Sequence, residues 1–93
     1  MQFMLDEKWV RLSGNITEDT VNEQNYRAFC QAAAQAEGID LSRVEETDSA
    51  CVALLVSALR EKTRQKQPLR FFNIPTGLAT LMSLYEVDKW IVS

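Results

Sequence analysis

No histidine occurs anywhere in the 93 residues. Its absence removes the usual general base and the Ser/His and Cys/His nucleophile pairs, so the chain does not read as an enzyme and offers no catalytic residue. Cysteine is sparse as well. Cys30 and Cys51 lack paired spacing, and without histidine they predict no metal site. Both lie inside apolar helical patterns and read as reduced, small buried residues. A glycine-rich loop that could cradle phosphates is missing, so no nucleotide or other cofactor is expected. No stretch approaches the roughly 20 apolar residues that cross a bilayer. The start Met1-Gln2-Phe3-Met4-Leu5-Asp6-Glu7 has neither the basic opening nor the apolar run of a signal peptide. A soluble, cytoplasmic protein without membrane insertion is the expectation. Positive charge is not in excess either: Lys and Arg number 10 against 13 Asp and Glu, for a net charge of -3. Nucleic-acid binding, which needs a basic face, is disfavoured.

What is present is enough for one domain. Hydrophobic residues make up 46% of the chain, sufficient for a single core with little left over for a separate ligand cavity. Trp9 to Ser13 alternate, with Val10 and Leu12 inward, and predict a half-buried strand ended by Gly14. Phe3 to Leu5 predict a strand pairing with it. Thr20 and Glu23 stand at capping-box spacing and predict a helix from near Val21, with a core face of Tyr26, Phe29, Cys30 and Ala33 and a stop at Gly38. Leu69 to Phe72 predict a strand with apolar side chains on both faces, hence one covered on both sides. Asn73, Pro75 and Thr76 signal another helix start, followed by a stripe of Leu78, Leu81, Met82 and Tyr85. Trp90-Ile91-Val92 predict a short final strand. Strands alternating with helices imply an α/β architecture with a mostly parallel sheet.

The most informative stretch runs from Ile39 to Lys62. A short strand, Ile39-Asp40-Leu41, gives way to a polar loop from Ser42. Beyond it, Val52, Leu55, Val56 and Leu59 recur at helical spacing. Asp48 and Ser49 stand where a helix N-cap belongs. Glu45, Glu46 and Asp48 are too poorly spaced for a hard cation and read as a solvated turn, or as a surface meeting basic residues of a partner. Arg60, Lys62, Arg64, Lys66 and Arg70 hold five of the 10 positive charges. They read as the basic end of a helix and its following turn, favoured there by the helix dipole. Ser49 itself has two compatible readings: a cap for the helix, or a hydroxyl presented to a partner.

The run Asp40-Leu41-Ser42, then Asp48-Ser49, then Ala50-Cys51-Val52 resembles the signature of the STAS domain family. Ile39-Asp40-Leu41-Ser42-Arg43-Val44 with Asp48 and Ala53-Leu54-Leu55 is most similar to its MlaB-type members, the small cytoplasmic subunits of Mla phospholipid-transport ABC complexes. One departure is Ala50-Cys51, where the family usually has glycine. The resemblance implies a STAS fold over residues 1–93, with a mostly parallel sheet of four to five strands and three to four helices. It further implies a non-catalytic subunit that contacts an MlaF-like ABC-transporter ATPase through Thr47, Asp48, Ser49 and Ala50. Such a subunit would be cytoplasmic and held at the inner membrane by the transporter. The alternative implied by the same family is an anti-sigma-factor antagonist switched by phosphorylation of Ser49, where added negative charge would repel an acidic contact surface.

Overall fold

The computed structural model describes residues 1–85, which form four strands and three helices. In chain order they are β1 (Gln2–Asp6), β2 (Trp9–Ile16), α1 (Glu23–Gln35), β3 (Gly38–Thr47), α2 (Ser49–Arg64), β4 (Arg70–Phe72) and α3 (Thr76–Leu84). The expected strand at Trp90-Ile91-Val92 lies outside the described residues. The sheet order is β1-β2-β3-β4. Strand β1 pairs antiparallel with β2, placing Phe3 opposite Leu12 and Leu5 opposite Val10. The β2–β3 and β3–β4 pairs are parallel, so the sheet is mostly parallel and each parallel pair is joined through a helix.

Alternation sets which face is covered. Val10 and Leu12 on β2, with Ile39 and Leu41 on β3, are fully buried, whereas their neighbours Trp9 and Arg11 are exposed. The core joins these side chains to Phe29 and Ala33 of α1, Leu54, Leu55 and Ala58 of α2, and Leu78 and Met82 of α3. Tyr26 and Cys30, expected on the core face of α1, are only half-buried. Tyr26 instead donates its hydroxyl to Ser57 Oγ on α2 at 2.7 Å. On the third stripe Leu81 packs partly against the core, but Tyr85 is exposed.

Several element boundaries differ from the sequence expectation. Strand β2 does not end at Gly14 but continues to the buried Ile16, with Gly14 in the left-handed region at φ 81. Register shifts flank it between Arg11 and Ser13 and between Gly14 and Ile16, and glycine tolerates that backbone without steric cost. Strand β3 likewise runs through the supposed polar loop, because Arg43, Val44 and Thr47 pair with Ser13, Gly14 and Ile16. Helix α1 starts two residues later than expected. Its capping box is Asn22 with Asn25, whose side chains each accept the other's amide at 2.9 and 2.8 Å. Thr20 closes the preceding turn instead.

Gly38 does not stop α1, which ends at Gln35 with an extended Ala36 beyond it. It opens β3, where a Cβ would lie 2.5 Å from Trp9 and 2.9 Å from Phe72. Those two rings meet edge-on with centroids 4.5 Å apart. Phe71 is buried and Phe72 half-buried, so the apolar surface of Phe72 is met by the Trp9 ring on the open sheet face rather than by a second covering layer among the described residues.

Candidate functional site

The β3–α2 junction brings Thr47, Asp48, Ser49 and Ala50 together at one end of the sheet. Thr47 is the last residue of β3 and lies opposite Ile16 of β2. Asp48 turns the chain in an extended conformation and caps α2. Its Oδ1 accepts the Ala50 amide at 2.8 Å, and its carbonyl accepts the Cys51 amide at 3.0 Å. A helix start leaves its first amides without intrahelical acceptors, and a carboxylate there also suits the dipole. The cap is therefore Asp48 and not Ser49. Ser49 is the first residue of α2, exposed, and its hydroxyl makes no hydrogen bond to the described residues.

Asp48 has a second attachment that sequence reasoning missed. Its Oδ2 accepts the Glu18 amide at 2.9 Å, linking the β2–α1 turn to the start of α2. That turn is internally braced: Thr20 Oγ1 donates to the Asn15 carbonyl at 2.7 Å and accepts the Thr17 amide at 2.9 Å. Asn15 Oδ1 also accepts the Glu46 amide of β3 at 3.3 Å. Asn15, Thr17 and Thr20 are turn formers legible in the sequence, but a bond donated by a backbone amide has no side-chain signature.

The charged residues sort differently from their appearance in the chain. Glu45 and Glu46 are exposed on β3, not in a loop, and only Asp48 sits at the helix start. Among the described residues, no cluster of three or more His, Cys, Asp or Glu is placed to hold a metal ion. The five basic residues do not form one face. Lys62 is turned into the core, Arg64 pairs with Glu61, and Arg70 lies on β4. Cys51 is buried directly behind the cap. Burial, and then the charge of Asp48, push its thiol up to about 12, which keeps it protonated and inert as a nucleophile. Cys30 is raised in the same direction, mainly by burial. No helix among the described residues is long and apolar enough to cross a membrane.

The junction presents an exposed hydroxyl, a capped helix end and a braced turn. Comparison with known proteins places the chain. The family model described as "Mlab, STAS domain" matches residues 2–93. The unphosphorylated anti-sigma factor antagonist SpoIIAA is similar in structure, with TM-score 0.64 and 21% identity over 99% of this chain and 86% of that one. A putative anti-sigma factor antagonist from Thermotoga maritima superimposes with TM-score 0.68 at 15% identity, covering 97% of this chain and 81% of its own. The phosphorylated form of the Bacillus cell fate determinant SpoIIAA gives 0.67 at 20% identity, over 98% and 87%. No curated protein matches. At these identities the solved structures establish the α/β fold that the sheet order describes.

Proposed function

Since the chain belongs to the STAS domain family, in the group described as Mlab, we propose that it is the non-catalytic subunit that binds and stabilises the ATPase of an Mla-type ABC transporter. Such a transporter moves phospholipids between inner and outer membranes, and the subunit would sit on its cytoplasmic side. The observation that carries this reading is the match of the family model described as Mlab over residues 2–93; the Ser49 hydroxyl at the start of α2 is exposed and open to a partner, because Asp48 does the capping. A partner can occupy that hydroxyl without uncapping the helix.

The mechanism is mass action. Binding only the folded, assembly-competent ATPase stabilises that form, by about 2.7 kcal/mol when the subunit stands near 100 times its Kd. ATP chemistry belongs to the partner, because this sequence has no phosphate-cradling glycine loop.

Ser49→Asp is the informative variant. At the first helical position its carboxylate suits the dipole, while its charge and bulk intrude on the proposed contact beside Asp48. The expected outcome is a melting temperature at least equal to the parent's with loss of the co-expressed ATPase in a pull-down. Ser49→Thr should keep both properties. Ser49→Ala should leave the melt unchanged, since it removes no cap. A stable Ser49→Asp protein that binds at parental affinity would remove Ser49 from the interface. Recovery of a kinase-like anti-sigma factor in place of the ATPase would favour the second reading, in which the same exposed hydroxyl is phosphorylated.

A further inference from the structure

We propose that β1 is a pairing edge for a second copy of this chain, joining two sheets into one across a two-fold axis at Met4. Among the described residues the sheet ends in β1 on one side and β4 on the other. Strand β4 is three residues long and begins with Arg70, which blunts it as a template. Strand β1 has no such protection. It pairs with β2 over five consecutive residues without a register shift. It contains neither proline nor lysine, and its one charge, Asp6, lies at its end. Met4 is 66% exposed and Leu5 39%, so apolar side chains flank the open edge.

The hairpin sets the direction of the free backbone groups. A two-residue turn, Glu7-Lys8, closes on the Asp6–Trp9 pair, and in so short a loop the closing residues bond to each other. Gln2, Met4 and Asp6 therefore direct their amides and carbonyls at β2, while Phe3 and Leu5 direct theirs outward. When a second β1 lies antiparallel with Met4 opposite Met4, Phe3 meets Leu5 on both sides of the axis. The two pairs exchange four backbone hydrogen bonds. The side chains agree with that register. On the helix-covered face, where Phe3 meets Phe29 edge-on at 5.9 Å, each Phe3–Leu5 pair is apolar. On the open face Met4 meets Met4, and Gln2 sets an amide donor against Asp6, so no carboxylate faces another. The same patch serves both copies, so the contact closes on itself at two chains. A five-residue strand is only about 17 Å long. The contact falls short of the roughly 800 Å² per partner of a stable interface, which makes the dimer weak and concentration-dependent.

The test is sedimentation equilibrium of the full chain from about 10 μM to about 1 mM, the range in which an interface this small associates. The average mass should climb from that of one chain towards that of two. Met4→Glu faces Arg11 within its own chain, which suits the fold, but sets two carboxylates against each other across the axis. It should melt near the parent and stay monomeric at every concentration. Mild oxidation of added cysteines reads the register. Met4→Cys places two thiols on a non-hydrogen-bonded pair with Cα atoms about 4.5 Å apart, within disulfide reach. Gln2→Cys and Asp6→Cys leave theirs about 13 Å apart along the strands. Met4→Cys should give covalent dimer, while neither of the others exceeds the parent, whose Cys30 is half-buried and Cys51 buried. A mass that stays at one chain up to the highest concentration would overturn the inference. So would a dimer that survives Met4→Glu, or cross-linking no greater at residue 4 than at 2 and 6.

Discussion

Lys62 carries an ammonium group into the core, where the residue is 3% exposed. Its Nζ donates to the Ala34 carbonyl at 3.0 Å and to Gln67 Oε1 at 3.1 Å. The first of these acceptors lies in the last turn of α1, where carbonyls lack intrahelical partners and positive charge is favoured. Lys62→Met keeps the apolar stem but strands both acceptors, and should cost about 1–3 kcal/mol in urea unfolding; an unchanged midpoint would show that water replaces the ammonium without loss. Asp40 is a second residue whose neighbours set its behaviour. Partial burial alone would raise its pKa, but bonds from Asn73 Nδ2 at 3.1 Å and the Ser42 amide at 3.0 Å, with the charge of Arg11, outweigh it and hold the carboxyl below its ordinary value. The folded state thus favours the carboxylate. That contribution is complete above the ordinary carboxyl range and disappears as pH falls through the lower, folded-state value. The melting-temperature gap between parent and Asp40→Asn should therefore be largest near neutral pH and close in acid. A gap constant across that range would remove the linkage.

Helix α2 is the element on which the core converges. Leu55 is fully buried in it, within the cluster that also holds Leu54, Ala58 and Leu59. Leu55→Ala should cost about 2–5 kcal/mol, the range for a leucine removed from a packed core. Guanidinium unfolding is the measurement, and a loss well under 1 kcal/mol would mean that the site collapses around the missing methyls. This helix was legible because its signals are local. The three- and four-residue steps of Val52, Leu55, Val56 and Leu59 need no knowledge of what lies opposite, and neither does the alternation of Val10 and Leu12. Strand β3 was only half legible. Its first part reads Ile39, Leu41 in period two, but beyond Ser42 only Val44 is buried and the rest is polar. What keeps Arg43 to Thr47 extended is pairing with β2 across two register shifts, and pairing is not written in either strand alone. The same limit applies to Gly38: its meaning comes from Trp9 and Phe72, 29 and 34 positions away, whose rings leave no room for a Cβ.

On the scale of the whole molecule, one buried cluster draws side chains from β2, α1, β3, α2, β4 and α3. A core shared this widely should unfold in a single step. Far-UV and near-UV circular dichroism should give coincident thermal transitions; separated midpoints would mean that one part of the cluster melts independently. The alternation of strands with helices, the order of the described elements, the buried faces of β2 and α2 and the Asp48-Ser49 junction were determined by the sequence itself, because periodicity and cap chemistry act over a few residues. Which of Asp48 and Ser49 caps α2 was decided only in three dimensions, since both side chains are competent acceptors and backbone geometry selects between them. The attachment of Glu18 to Asp48, the inward turn of Lys62 and the continuation of β3 through its polar half belong to the same class. Each depends on a backbone amide or carbonyl brought close by the fold, and every residue carries those groups alike, so no residue type announces where they will be used.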